Sequence, residues 1–440
     1  MSNTLISDAP SNFDEAFLMR QAQNELLPEW FQTMQAEAWE RYKQLPTPNR
    51  TSKNWRFSNL KSLADLDRFE PSPFAAVENE EIVEKSNRLK NVAGRFVFID
   101  DNLAAPRYLD PELEKQGVVF TTLFDALNQH EALVKKYFMR QSPRLGSEKF
   151  EALHLALLRN GLFVYIPKGL EIDRPFVVAN WSQASGSAIF PHTHFICDEN
   201  AKATLVEFQE SASPETENLV IANAHVFAEN GAKPRHDIIQ NWNTNTLSFQ
   251  LNTHNAERDV ESRGILINIG SKQARQEVHG EIFGSGSDVN LYSLNVPTKD
   301  QFFDQRTLQT HIAPNSRSNL LYKNVLQDSA KTIFSGLIIV EEEAQQTDAY
   351  QTNNNLLLSE KVEANSLPGL EINANDVKCS HGATSGQIDD SNIFYFLARG
   401  IPRKKAEELL VFGFFEEIIE KFKIEDLRDY IRELVQQKFR

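Results

Sequence analysis

From about residue 160 onward the chain breaks into short, apolar, β-branched runs set at regular intervals. That pattern limits the fold more than any other feature. The runs are Leu162 to Ile166, Phe176 to Val178, Ala203 to Phe208, Leu219 to Phe227, Ile265 to Ile269, Val289 to Leu294, Leu320 to Val325 and Ile333 to Val340. Small or polar clusters punctuate them, among them Glu199-Asn200-Ala201-Lys202, Glu229-Asn230-Gly231-Ala232-Lys233, Gly286-Ser287-Asp288 and Asp328-Ser329-Ala330-Lys331. Such side chains suit a pleated surface and such clusters suit turns. The spacing is roughly 15 residues or twice that, which predicts an all-β sandwich, barrel or solenoid. A stretch of about 230 residues is long for one sandwich of ~100 residues, so the solenoid is preferred. Asn353-Asn354-Asn355 supports it, because asparagines stacked from turn to turn form hydrogen-bonded ladders.

Helical periodicity flanks this region. Trp30, Phe31, Met34, Ala38 and Tyr42 recur at three- and four-residue steps, so residues 11–45 read as helix, stopped at Leu45-Pro46-Thr47-Pro48. A mixed segment follows, with a strand-like run at 95–99 and a helical run near 123–138. After Gly400 helices return. Leu409, Leu410, Phe412, Phe415, Ile418, Ile419 and Phe422 make one broad apolar face, and Leu427, Tyr430, Ile431, Leu434 and Val435 a second. The expected organisation is a mostly helical region over 1–150, a β-solenoid over 151–400 and a helical region over 401–440. The last is expected to cap the solenoid end.

Charge narrows the function. A net charge of −15 disfavours nucleic-acid backbones and anionic membrane surfaces. No apolar run approaches the ~20 residues that span a bilayer. Residues 1–10 lack a basic segment followed by an apolar one, so no secretory leader is read there and a cytoplasmic setting is expected. Two cysteines, Cys197 and Cys379, make no disulfide framework and fit a reducing compartment.

The residues with chemistry to offer are few. Cys379 and His381 stand two apart, which on a strand puts both side chains on one face, with α-carbons roughly 6.5–7 Å apart. Thiolate and imidazole both bind iron. Two ligands leave an iron or cluster half-coordinated, so the rest must come from another chain. The plainer reading makes Cys379 a small buried hydrophobe and His381 a turn hydrogen-bonder. His192-Thr193-His194 has chelate spacing, with Cys197 close behind, but strand packing accounts for these residues without a metal. Asp300 and Asp304 are the carboxylates a β-helix glycosidase or lyase would need, the least favoured reading. No Gly-x-x-x-x-Gly-Lys-Ser/Thr loop, Gly-x-Ser-x-Gly elbow or His-Glu-x-x-His occurs, so ATP chemistry must come from elsewhere.

The segment from Arg306 to Gly413 resembles the signature region of the SufB/SufD family. Ser335-Gly336, Gln351 to Ser359, Pro368-Gly369-Leu370-Glu371-Ile372, Asp376 to Thr384 and Phe394 to Ile401 follow one another in the family's order. Asn54 to Leu60 and Gly161 to Gly169 extend a weaker likeness upstream. The resemblance implies a right-handed parallel β-helix between two helical domains. It also implies a complex with a SufB-like paralogue and a SufC-like ABC ATPase, on which iron–sulfur clusters are assembled, the chain itself being no enzyme. The run Lys378-Cys379-Ser380-His381-Gly382-Ala383-Thr384 is SufD-like, with Gly382 where SufB-type chains carry a glutamate. A homodimer, or a SufB-like role, is the alternative within the family. By the same resemblance His381, with Cys379, belongs to a cluster-assembly interface. Any iron or cluster there is held transiently between two chains, with none bound stably by this chain alone. Leu409, Phe412, Phe414 and Phe415 would then dock the ATPase.

Overall fold

The computed structural model describes residues 11–23, 26–141 and 143–439. Residues 1–10, on which the reading of no leader rests, lie outside these, as do residues 24 and 25 within the expected first helix. The chain around that gap forms two helices, Asn12–Gln23 and Glu29–Gln44. The helical run near 123–138 is likewise two short helices, Leu123–Gln129 and Glu131–Tyr137, which meet at His130.

From Leu162 to Gln387 the backbone winds as a parallel β-solenoid in which successive strands alternate between two sheets. Every expected run from Leu162 onward lies in a strand, except that Ile269 falls one residue past the end of Glu261–Asn268. One row of the first sheet reads His194, His225, Thr253, His279 and Leu308, each in parallel register with the next. Asparagines stack as expected: Asn268 donates to Asn295 at 3.2 Å, and Asn324 donates to Asn355, 31 residues on, at 2.7 Å. The corners share a left-handed backbone at Asn200, Gly231, Asp259, Gly286, Asn315 and Gln346. Asn, Asp and Gly reach that conformation most cheaply, which is why those residue types recur in the turns. The strands that escaped the sequence reading, such as Leu247–Ala256 and Gln273–Ile282, carry Gln, Asn, Thr and His at buried positions and so lack an apolar signature.

The two helical regions cover the two outer faces of the solenoid. Phe31, Trp39, Trp55, Phe138 and Phe150 pack over the first sheet. The C-terminal helices Arg403–Ile419 and Glu425–Gln437 lay Val411, Phe415, Ile418, Leu427, Ile431 and Leu434 on Phe208, Ile239, Ile267 and Leu294 of the second. This corrects the expectation that they cap the end. The second sheet's outer face is apolar along several turns and offers the helices more area than one terminal turn. The last turn stays uncovered.

Candidate functional site at the open end of the solenoid

The last two strands are Glu363–Ile372 and Lys378–Gln387. Among the described residues the first pairs only with Lys331–Val340 and the second only with Asp348–Leu357. Each therefore carries one free row of backbone N–H and C=O groups, a template for pairing with another chain. Nearly every residue of the final strand is exposed. Leu367 and Ile372 on the last turn, and Tyr350 on the strand beside Lys378–Gln387, leave large apolar surfaces open.

Cys379 and His381 both lie on this final strand, on one face. Cys379 registers beside Ala349 and packs its half-buried side chain with Leu370 and Val377 on a small apolar cluster. Burial pushes its thiol above the ordinary range, with Asp348 adding to the rise. A thiol so placed is protonated until a cation arrives to favour the thiolate. His381 is exposed and registers beside Gln351, whose buried side-chain amide has neither nitrogen nor oxygen partnered. Among the described residues no group of three or more His, Cys, Asp or Glu is placed to hold a metal ion.

The other candidates sit elsewhere. His192 and His194 belong to a buried column with His154 and His225. His154 Nδ1–H donates to the Ile221 carbonyl at 2.7 Å, which leaves Nε2 to accept from His192 Nδ1 at 3.0 Å. His192 Nε2 in turn accepts from His194 Nδ1 at 2.8 Å. With the Ile221 carbonyl accepting at one end, each ring passes its tautomer to the next, while the Tyr137 carbonyl meets His194 at the other end. Burial holds all four rings neutral, His154 down to about 3 and His225 to about 4. His154 and His225 went unseen in the sequence because each comes from a different segment; the only signal was the register that sets His225 beside His194. Cys197 is fully buried, its thiol raised by desolvation. Asp304 is buried between Arg275 (2.7 Å) and Arg306 (2.6 Å), away from solvent, while Asp300 lies in an exposed turn. They form no accessible pair, which removes the basis for the glycosidase reading.

Of the four C-terminal residues, Phe415 is fully buried against the solenoid and Phe412 and Phe414 are half-buried on the same core. Leu409 is exposed. The larger apolar surface at this end belongs to the helix Asp390–Leu397, where Phe394 is 70% and Tyr395 55% exposed. The sequence reading used this run only as part of the family signature and did not read it as a surface. Among the described residues no helix is long and apolar enough to cross a membrane.

Two family models match in tandem. The SufBD protein N-terminal region covers residues 16–178, and the SufBD core domain of SUF system FeS cluster assembly covers 180–414, more than half of the chain. The chain belongs to the SufBD family. It is thus a member of the SUF system of iron–sulfur cluster assembly. It is 26% identical to the iron–sulfur cluster assembly protein SufD of Bacillus subtilis, over 97% of this chain and 98% of that one. A SufBD family protein of Synechocystis is 26% identical over 83% of this chain and 77% of its own, and one of Staphylococcus saprophyticus 26% over 72% and 68%. In SufBD terms, the core-domain match runs through the solenoid, takes in Cys379 and His381, and ends within the first C-terminal helix.

Proposed function

We propose that this chain is the SufD-type subunit of a SUF assembly scaffold and lends His381, with Cys379, to a cluster-building site completed by a SufB-like paralogue. The observation that carries the reading is the open last turn: two unpaired strand edges and exposed apolar side chains surround a histidine and a cysteine too few to hold iron alone. Pairing of the paralogue along the edge would satisfy the free backbone groups and bring the missing ligands. The chain's part is then ligand donation and shape, not turnover. Iron and sulfide are cargo, held while the cluster forms. Gly382 supports the SufD assignment, because no carboxylate stands at that position.

The same reading puts the SufC-like ATPase on the exposed rings of Phe394 and Tyr395 together with Leu409 and the half-buried Phe412 and Phe414 of its helix. Movement of the ATPase would reach the open end through the short link from Gln387 to Asp390. Two unpaired thiols suit the reducing cytoplasm.

Anaerobic co-purification with both partners, followed by iron and sulfide analysis, tests this. His381→Ala is expected to retain both partners and its stability, within about 0.5 kcal/mol as for other surface changes, while losing most bound iron and sulfide. Cys379→Ala is expected to lose a smaller part. Normal cluster formation by His381→Ala would remove its role. A homodimer that assembles clusters without the paralogue would replace the SufD assignment by the single-gene alternative.

A further inference from the structure

On the outer face of the first sheet, away from the open end, Tyr137, Arg140, Gln141 and Arg144 border a cavity of about 380 Å³ that the assembly function leaves unused. That volume is within the range of small-molecule sites. Its walls are the rings of Tyr137, Phe227 and Phe283, and its rim carries the exposed guanidinium groups of Arg140 and Arg144. Gln141, Arg144 and His279 are shared with an adjoining cavity of about 20 Å³ that continues inward.

The inner end is lined by buried polar atoms that have no partner among the described residues: Gln141 Oε1, Asn223 Oδ1 and Nδ2, His225 Nε2, Glu277 Oε2 and His279 Nδ1, on residues 8% exposed or less. A cluster of unmet buried groups is rare and points to something that fills it. The set is biased to acceptors. Gln141 Nε2 already donates to Glu281, which leaves its Oε1 for a ligand. His279 Nε2 shares a hydrogen bond with Thr310 Oγ1 at 3.0 Å, and in the tautomer with the proton on Nε2 the Nδ1 atom presents a lone pair. At the mouth the charge reverses. Arg144 is only loosely met by Glu281, at 3.9 Å.

Acceptors and carboxylates inside, guanidinium groups outside and aromatic rings between them discriminate among ligands. A simple anion would meet Glu229, Glu257 and Glu281 along the wall and Glu277 at the inner end, and a simple cation would have to pass two arginines. An ammonium has three donors and no acceptor, matching the inner atoms. A carboxylate matches the guanidinium fork. We propose that this cavity binds a small zwitterion of the α-amino-acid class, its ammonium toward Gln141, Glu277 and His279, its carboxylate on Arg144 and its side chain against Phe227 and Phe283. Burial raises Glu281 above the ordinary carboxylate range, a rise that a bound ammonium would relieve. The proposal is independent of the cluster-assembly reading.

Titration calorimetry on the full chain decides it, using L-phenylalanine, L-phenylalaninamide (no carboxylate) and N-acetyl-L-phenylalanine (no ammonium). The expected result is saturable binding of phenylalanine and at least about tenfold weaker binding of each analogue, as loss of one charge-assisted pair gives. Arg144→Gln should weaken phenylalanine about tenfold and leave the amide unchanged. No saturable binding of phenylalanine, or equal binding of either analogue, overturns the proposal, and both results come from the unmodified chain.

Discussion

The guanidinium carbon of Arg275, on a central solenoid strand, lies 3.7 Å from the centre of the Trp55 ring, in the loop after the N-terminal helices. The contact ties the N-terminal region to the solenoid through one buried network. Arg275 also donates to Glu277 and Asp304, each at 2.7 Å, and to the Leu145 carbonyl at 2.8 Å, while the Trp55 indole donates to the Gly146 carbonyl at 2.7 Å. Ser58, three residues on, donates to Asp304. The likeness seen at Asn54 to Leu60 therefore marks a clamp rather than a catalytic motif.

Removing one partner from such a network leaves uncompensated charges in a dry site, which costs about 3–5 kcal/mol. Arg275→Met is expected to destabilise the chain by that much in urea unfolding followed by tryptophan fluorescence. Ser58→Ala, which removes the hydroxyl's donation to Asp304 and the weaker bonds it accepts from Arg275 and Arg306, should cost about 1–3 kcal/mol.

Two glycines should respond oppositely to alanine. A Cβ at Gly284 would stand 2.1 Å from the Arg258 amide nitrogen and 2.4 Å from its Cα, both backbone atoms of the preceding turn. Gly284→Ala is expected to cost about 1–3 kcal/mol, as overpacking does. A Cβ at Gly382 meets nothing within 4 Å, so Gly382→Ala should leave stability of the isolated chain within about 0.5 kcal/mol. Thermal melts of the two variants side by side check this.

His254 is buried inside the solenoid and desolvation lowers it to about 3, against an unfolded value near 6.5. Its contribution is complete above pH 6.5. As pH falls from there toward 3, the unfolded state takes up a proton that the folded state refuses, so stability is lost at up to about 1.4 kcal/mol per pH unit. His254→Gln is expected to flatten the stability–pH curve by about that slope between pH 6 and 4. Urea midpoints measured at several pH values would show it.

The solenoid was legible wherever strands bury aliphatic residues, and its corners wherever Asn, Asp or Gly takes a left-handed backbone. Strands with polar interiors were not, because Gln250, Asn252 and Thr253 look like loop until the ladder partners are known. Cys379 and His381 were legible as a same-face pair. That they stand on an uncovered turn was not, since the apolar C-terminal helices have no sequence signal that tells a side face from an end. Nor did the sequence reveal that Phe415 is spent on the core while Phe394 and Tyr395 face outward: both stretches are aromatic, and only the packing direction separates them.

The claim that a second chain joins at the open end is tested most directly by photo-crosslinking. A photoreactive amino acid is placed at Gly382, where the side-chain direction is empty, and separately at Phe74, which is 79% exposed and remote from the last turn. Irradiation in the presence of the SufB-like paralogue should give a covalent heterodimer from position 382 and none from position 74. A paralogue captured at position 74, with none at position 382, would contradict the account.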